Sequence, residues 1–257
     1  MKDTRCLSSI GALCALFFLA SSPAGATIIA EHSGSTNPAT EGFVVPPGYN
    51  SGNGAPVTND LGLGINAWNV NGSWCCSGEA YDLSSAQVST LTTTEWVFSV
   101  NMRDLSTTTS NTGYGPNSYG GVATTVANGL RFSIDLHSDG SGGQVLSADP
   151  FAAGPTYDIA GLGTGYALIQ IAYDPTTKTA DYYVNDVEVI SGFAGYSNYY
   201  EPWVSFGAQD SNFNLVELET NAPVPGSSPE PSSWTLVASG GMVALGLVGR
   251  RKVFRKS

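Results

Sequence analysis

Basic charge is scarce in this chain, and most of it sits at the two ends. The chain carries 10 Lys and Arg against 21 Asp and Glu, and Lys2, Arg5, Arg250, Arg251, Lys252, Arg255 and Lys256 are all terminal. Only Arg103, Arg131 and Lys178 remain between them, so the central body is strongly acidic and repels a phosphate backbone. Nucleic acid is excluded as a partner. Charged residues of either sign make up only 12% of the chain, too few for a coiled coil, and the 31 Gly lack the three-residue period of collagen. Histidine is limited to His32 and His137, and no Gly-x-Ser-x-Gly elbow is present, so no Ser-His-Asp set can be assembled. Of the four Cys, Cys75 and Cys76 alone lie in the body, which is half a zinc site at most. No helical runs separate the apolar segments, which excludes a parallel α/β architecture.

What is present begins with two terminal segments. Lys2 and Arg5 precede an apolar run from Ile10 to Ala20 and the small-residue site Ala24-Gly25-Ala26. A basic region, a short apolar core and an Ala-x-Ala site form a secretory signal peptide over residues 1–26, to be removed by signal peptidase. At the other end, a Pro-rich linker over residues 222–231 closes on Pro229-Glu230-Pro231. The 18 residues from Ser232 to Gly249 carry no charge, form an apolar segment from Trp234 to Val248, and precede the basic tail 250–257, which opens on Arg250-Arg251. As a helix they reach roughly 27 Å, close to the roughly 30 Å of bilayer hydrocarbon. A single transmembrane helix over 232–249 with a cytoplasmic basic end is expected.

This three-part tail resembles the PEP-CTERM sorting signal of exopolysaccharide-forming Gram-negative bacteria. The resemblance implies that an exosortase-type membrane enzyme recognises Pro229, Glu230 and Pro231, with Arg250 and Arg251 in the basic end. It further implies a protein held briefly in the inner membrane and then passed to the cell surface or extracellular matrix.

Residues 27–221 read as one folded domain. From Glu95 to Arg103 and from Gly129 to His137, apolar and polar residues alternate with the period of two expected of a half-buried strand. Further strands are expected over Ala167–Tyr173, Thr179–Asn185, Asp186–Ile190, Trp203–Ala208 and Phe213–Thr220. The one helical turn expected is Ser84–Leu91, capped by Ser84 or Ser85. Turn residues at Asp174-Pro175 and Ser138-Asp139-Gly140 reverse strands as hairpins. The fold class is therefore all-β, an antiparallel two-sheet β-sandwich.

The run from Ile171 to Asn185, with its Tyr173-Asp174-Pro175 turn, and the following Val187 to Gly192 resemble the late hairpin of concanavalin A-like and laminin-G-like jelly rolls. Phe206-Gly207-Ala208 and the closing strand from Phe213 to Thr220 extend the likeness. The family includes lectins, glycosidases and adhesive modules. Its laminarinase-type glucanases carry a Glu-x-Asp-x-x-Glu strand, which is missing here; Glu217 and Glu219 share a strand face but read as a solvated edge.

Three constellations remain as candidate sites. Asp135 and Asp139, spaced with His137 by two, would share a strand face beside a Gly-rich turn and offer hard oxygen ligands for Ca²⁺, with His137 a poor ligand for that ion; the alternative is a polar outer strand face. Asp210 and Asn212 join that set only if the loops meet. The rings of Tyr196, Tyr199, Tyr200 and Trp203 either offer stacking platforms for sugar C–H faces or close one end of the sandwich core. Cys75 and Cys76 form a strained vicinal disulfide, bridge to another molecule, or stay as thiols. The functional expectation is an exported, non-enzymatic carbohydrate-binding module whose partner is an extracellular polysaccharide. The alternatives are a structural coat or matrix protein and, third, a glycoside hydrolase.

Overall fold

A computed structural model describes residues 25–46, 54–72, 78–105, 121–127, 129–141, 143–148, 154–196, 202–208 and 210–226. Residues 1–24 of the expected signal peptide, the Pro229-Glu230-Pro231 motif, the apolar tail with Arg250 and Arg251, and Cys75, Cys76, Tyr199 and Tyr200 lie outside these residues. Among the described residues, no helix is long and apolar enough to cross a membrane.

The strands are β1 (Thr27–Ser33), β2 (Ala55–Asp60), β3 (Ile65–Asn71), β4 (Gly78–Asp82), β5 (Trp96–Asp104), β6 (Gly121–Ala127), β7 (Leu130–Ser138), β8 (Gln144–Ser147), β9 (Thr156–Ile159), β10 (Ala167–Asp174), β11 (Thr179–Val184), β12 (Val187–Phe193), β13 (Trp203–Ala208) and β14 (Asp210–Thr220). They form two antiparallel sheets. The first runs β12-β11-β10-β5-β14-β3-β2, and the second β4-β13-β6-β7-β8-β9. The long β14 pairs with β3 through Asp210 to Phe213 and with β1 through Leu215 to Thr220, so β1 and β3 share one of its flanks.

The alternation that marks β5 places Trp96, Phe98, Val100 and Met102 in the core, where they meet Phe132, Ile134 and Leu136 of β7. Trp96 stacks on Tyr173 at 5.0 Å and meets Phe132 edge-on at 5.7 Å, tying the two sheets together through aromatic area. These strands are covered on both faces: the alternate residues Val97, Ser99 and Arg103 of β5, and Arg131, Ser133, Asp135 and His137 of β7, are buried as well. The half-buried pattern therefore describes the chemistry of the two faces and not their exposure.

The helix α1 (Ser85–Thr93) starts with a capping box. The Ser84 hydroxyl accepts from the Gln87 amide at 3.3 Å, and the Ser84 amide donates to Gln87 Oε1 at 2.8 Å. Leu91 anchors its inner side, and its carbonyl accepts from Trp96 Nε1 at 3.1 Å. A short 3-10 turn, Pro38–Glu41, was not foreseen; it ends at Gly42 with φ of 93°.

Between β11 and β12, Asn185 and Asp186 take φ of 49° and 66° and link Val184 directly to its partner Val187. Both belong to a two-residue hairpin turn, the kind whose positive φ at both positions favours Asn and Asp. The expected strands over Thr179–Asn185 and Asp186–Ile190 are corrected accordingly.

Candidate functional site

Ile134 and Leu136 of β7 enter the core, so Arg131, Ser133, Asp135 and His137 point away from it on the outer face of the second sheet. Neighbouring strands extend each position into a row. Ser133 is opposite Thr124, which is opposite Ser205; Asp135 is opposite Val122 and Ser147; His137 is opposite Val145. Asp135 is completely buried, and His137 Nδ1 stands 3.5 Å from its Oδ2. Asp135 thus lies on a polar outer strand face, and that face is buried.

Two of the four candidate rings border this row. The backbone of Tyr196 brackets Arg131 in an isolated antiparallel bridge, with both N–H···O bonds at 2.9 Å. The Arg131 guanidinium carbon sits 5.2 Å from the Tyr196 ring centroid, within cation-π range. Gly195 permits the approach. Its φ is 73°, and a Cβ there would lie 2.9 Å from Phe132 Cζ and 3.1 Å from the Arg131 carbonyl oxygen. Trp203 alternates with the buried core residue Val204 and so faces the same outer side. The register that sets Ser205 opposite Thr124 carries Trp203 to the level of Val126, which is opposite Arg131. Trp203, Val126, Arg131 and Tyr196 thus line one cross-strand row spanning three strand spacings, roughly 14 Å. Tyr196 and Trp203 are half-buried.

The proposed calcium ligands are engaged separately. Asp139 holds the β7–β8 hairpin: its Oδ1 accepts from the Ser141 amide at 2.6 Å and the Gly143 amide at 2.8 Å, and its Oδ2 accepts from the Ser141 hydroxyl at 2.8 Å. Asp210 and Asn212 belong to the first sheet, on the other side of the sandwich, where Asn69 Nδ2 donates to both at 3.0 and 2.7 Å. Among the described residues no group of three or more His, Cys, Asp and Glu side chains is arranged to hold a metal ion.

A second polar cluster, on the outer face of the first sheet, escaped the sequence reading. Asp60 Oδ2 accepts from Asn212 Nδ2 at 2.6 Å and the Tyr166 hydroxyl at 2.9 Å, and it forms an ion pair with Arg103, whose Nε is 2.8 Å away. Burial opposes the charge of Asp60, yet the bonds from Asn212 and Tyr166 and the Arg103 charge outweigh it and hold the carboxyl below its ordinary range. Burial and the bond to Asp60 push the Tyr166 phenol well above its ordinary range. One available signal was Arg103, one of three basic residues in an acidic body.

No known protein family matches the sequence, and no curated protein does. Among solved structures, the chain is similar to a carbohydrate esterase from the Shiga toxin-encoding bacteriophage phi24B, with 10% identity and a TM-score of 0.53 over 77% of this chain and 100% of that one. This likeness is one of fold. The botulinum neurotoxin serotype D binding domain follows with 10% identity and a TM-score of 0.45, covering 83% of this chain and 51% of that one, so the chain spans about half its length. A Trypanosoma rangeli sialidase bound to the inhibitor DANA gives 9% identity and a TM-score of 0.38, over 63% and 26% of the two chains.

Proposed function

We propose that the chain is an exported carbohydrate-binding module of the jelly-roll type, which binds an extracellular polysaccharide without turning it over. One observation carries the reading: Tyr196 and Trp203, two half-buried rings, flank a single row on the outer face of the second sheet, and Arg131 fixes the first of them. Aromatic faces take the C–H faces of sugars, and their polar rims hydrogen-bond hydroxyls. The roughly 14 Å between the strands that carry them favours a stretch of polymer over a single sugar. The buried row Arg131, Ser133, Asp135 and His137 supports that surface as a rigid polar layer.

The terminal segments set the place of action. The signal peptide over residues 1–26 exports the body, and the tail from Pro229 to Ser257 holds it in the inner membrane until an exosortase-type enzyme acts near Pro229-Glu230-Pro231. From there it reaches the cell surface or matrix. The test is binding of the purified chain to an array of bacterial exopolysaccharides, beside Tyr196→Ala and Trp203→Ala. Retention of specific polysaccharides by the parent chain, lost in both variants, is the expected result; equal retention by all three overturns the assigned surface. For the address, deletion of residues 229–257 should release a cell-associated protein into the medium, and identical fractionation of both forms overturns the sorting reading.

A further inference from the structure

The loop between β2 and β3 reads Leu61-Gly62-Leu63-Gly64, and it presents its two leucines to solvent: Leu63 is 68% exposed and Leu61 49%. Leu61 does so at φ of 54°, a left-handed backbone that a bulky side chain rarely adopts. Such a conformation persists only where the surroundings over-determine it, and here they do. The Asn59 N–H donates to Asn66 Oδ1 at 3.2 Å, while Asn59 Oδ1 accepts from the Gly64 N–H at 2.8 Å. Asp60 at the base accepts from Leu61 N–H through Oδ1 and is locked through Oδ2 to Arg103, Asn212 and Tyr166. The tip is a stiff support for two exposed apolar side chains.

The loop lies at the end of the first sheet from which the chain departs. Tyr166, bonded to Asp60, is two residues from Leu168, whose N–H donates to Asn185 Oδ1 in the β11–β12 turn at 3.1 Å. Gly226, where the described chain ends, rests against that turn; a Cβ on it would lie 2.6 Å from the Asp186 carbonyl oxygen. Val187, which follows Asp186, is 61% exposed, and Val224 is exposed as well. Leu61, Leu63, Val187 and Val224 are thus exposed on segments that these contacts connect to the departure point, whereas Ile28, Tyr157 and the adjacent pair Val44 and Val45 are exposed elsewhere.

Only residues 227–231 separate Gly226 from the expected membrane span that opens at Ser232. Five residues reach at most about 17 Å when fully extended. We infer that this end of the sandwich docks on the bilayer that holds the chain's own tail, with Leu61 and Leu63 entering the interface as an apolar wedge. The inference rests on the proposed membrane reading of residues 232–249. The acidic body gains nothing electrostatic from an anionic lipid surface, so the contact has to be apolar. Docking keeps Pro229-Glu230-Pro231 at the membrane surface, where a membrane-embedded processing enzyme meets it.

The test uses the full chain reconstituted in phosphatidylcholine vesicles containing a dibrominated phosphatidylcholine as quencher. Flotation of the parent chain with the vesicles reports the tail. Leu63→Trp and Leu61→Trp then report the wedge, each read as emission added over the parent, which has 5 Trp of its own. Thr176→Trp, on the exposed β10–β11 hairpin at the opposite end of the sheet, is the control. The expected result is flotation, loss of most of the added emission for both loop variants, and little loss for the control. A chain that fails to float overturns the tail reading and the wedge with it. A chain that floats while loop and control probes are quenched alike, or neither is quenched, overturns the wedge alone.

Discussion

His32 Nδ1 lies 2.6 Å from Glu41 Oε2, joining β1 to the short 3-10 turn that follows it. The imidazole is completely buried and stacks on Phe206 of the opposite sheet at 4.9 Å, with Phe43 edge-on at 6.4 Å. Burial lowers its pKa from 6.5, and the bond and charge of Glu41 only partly offset this. A His whose folded pKa lies below its unfolded value contributes stability that is fully present above the unfolded value and is lost as the pH falls through the folded one. Denaturant titrations in steps below pH 6.5, but above the carboxylate range, should show falling stability. His32→Phe, which keeps the stacked ring, should flatten that slope. An unchanged slope in the variant would remove His32 as its source.

Asp60 and Arg103 form a buried ion pair that is hydrogen-bonded on both sides, with Arg103 Nη1 also donating to the Thr164 carbonyl at 3.2 Å. Asp60→Ala strands the guanidinium and should cost about 3 kcal/mol, whereas a double replacement by apolar residues should cost less than the two single changes together. Equilibrium unfolding of the four proteins in a double-mutant cycle measures this. Since the Asp60 pKa is held down from 3.8, the stability that it contributes is present above that value and lost as the pH falls through the lower folded one.

Glu217 on β14 stands directly opposite Glu31 on β1, with Glu219 two residues along the same face. Burial first, and then the charges of Glu219 and Glu31, raise the Glu217 pKa. A raised carboxyl contributes stability below its unfolded pKa that is lost as the pH rises through the folded value. Glu217→Gln should therefore stabilise the fold at neutral pH by roughly 0.2–1 kcal/mol, and the gain should vanish in acid. A thermal midpoint that does not rise at neutral pH would contradict the pairing.

The strands with a clean period of two were legible in the sequence: β5 and β7 fall within a residue of their expected bounds, because alternation reports which side chains the core takes, and β10 and β13, read from their apolar runs, do so as well. The strands β1, β2, β3 and β4 were not. Ala55 to Asp60 has Pro56 and few apolar residues, and it is held as an edge strand by partners that no local pattern records. Of the candidate site, the rings and the acids were visible singly. That Tyr196 and Trp203 fall on one row depends on strand register across β13, β6 and β7, which is non-local. The burial of Asp135 was hidden for a related reason: alternation distinguishes two faces without stating what covers each of them.

Gly195 links the fold to the proposed binding surface. With φ of 73° and its missing Cβ facing Phe132 Cζ and the Arg131 carbonyl, it allows the chain to turn in against β7 so that Tyr196 bonds both backbone groups of Arg131. Gly195→Ala imposes a left-handed conformation costing roughly 1–2 kcal/mol, together with a contact to backbone that cannot yield as a flexible side chain does. The bridge should open and the Tyr196 ring should leave the guanidinium. Polysaccharide retention on the array should then fall as it does for Tyr196→Ala, while Gly192→Ala, also at positive φ but with open space around it, should lose stability and keep retention. If the Gly192 and Gly195 variants bind alike, the bracket at Arg131 does not set the binding surface.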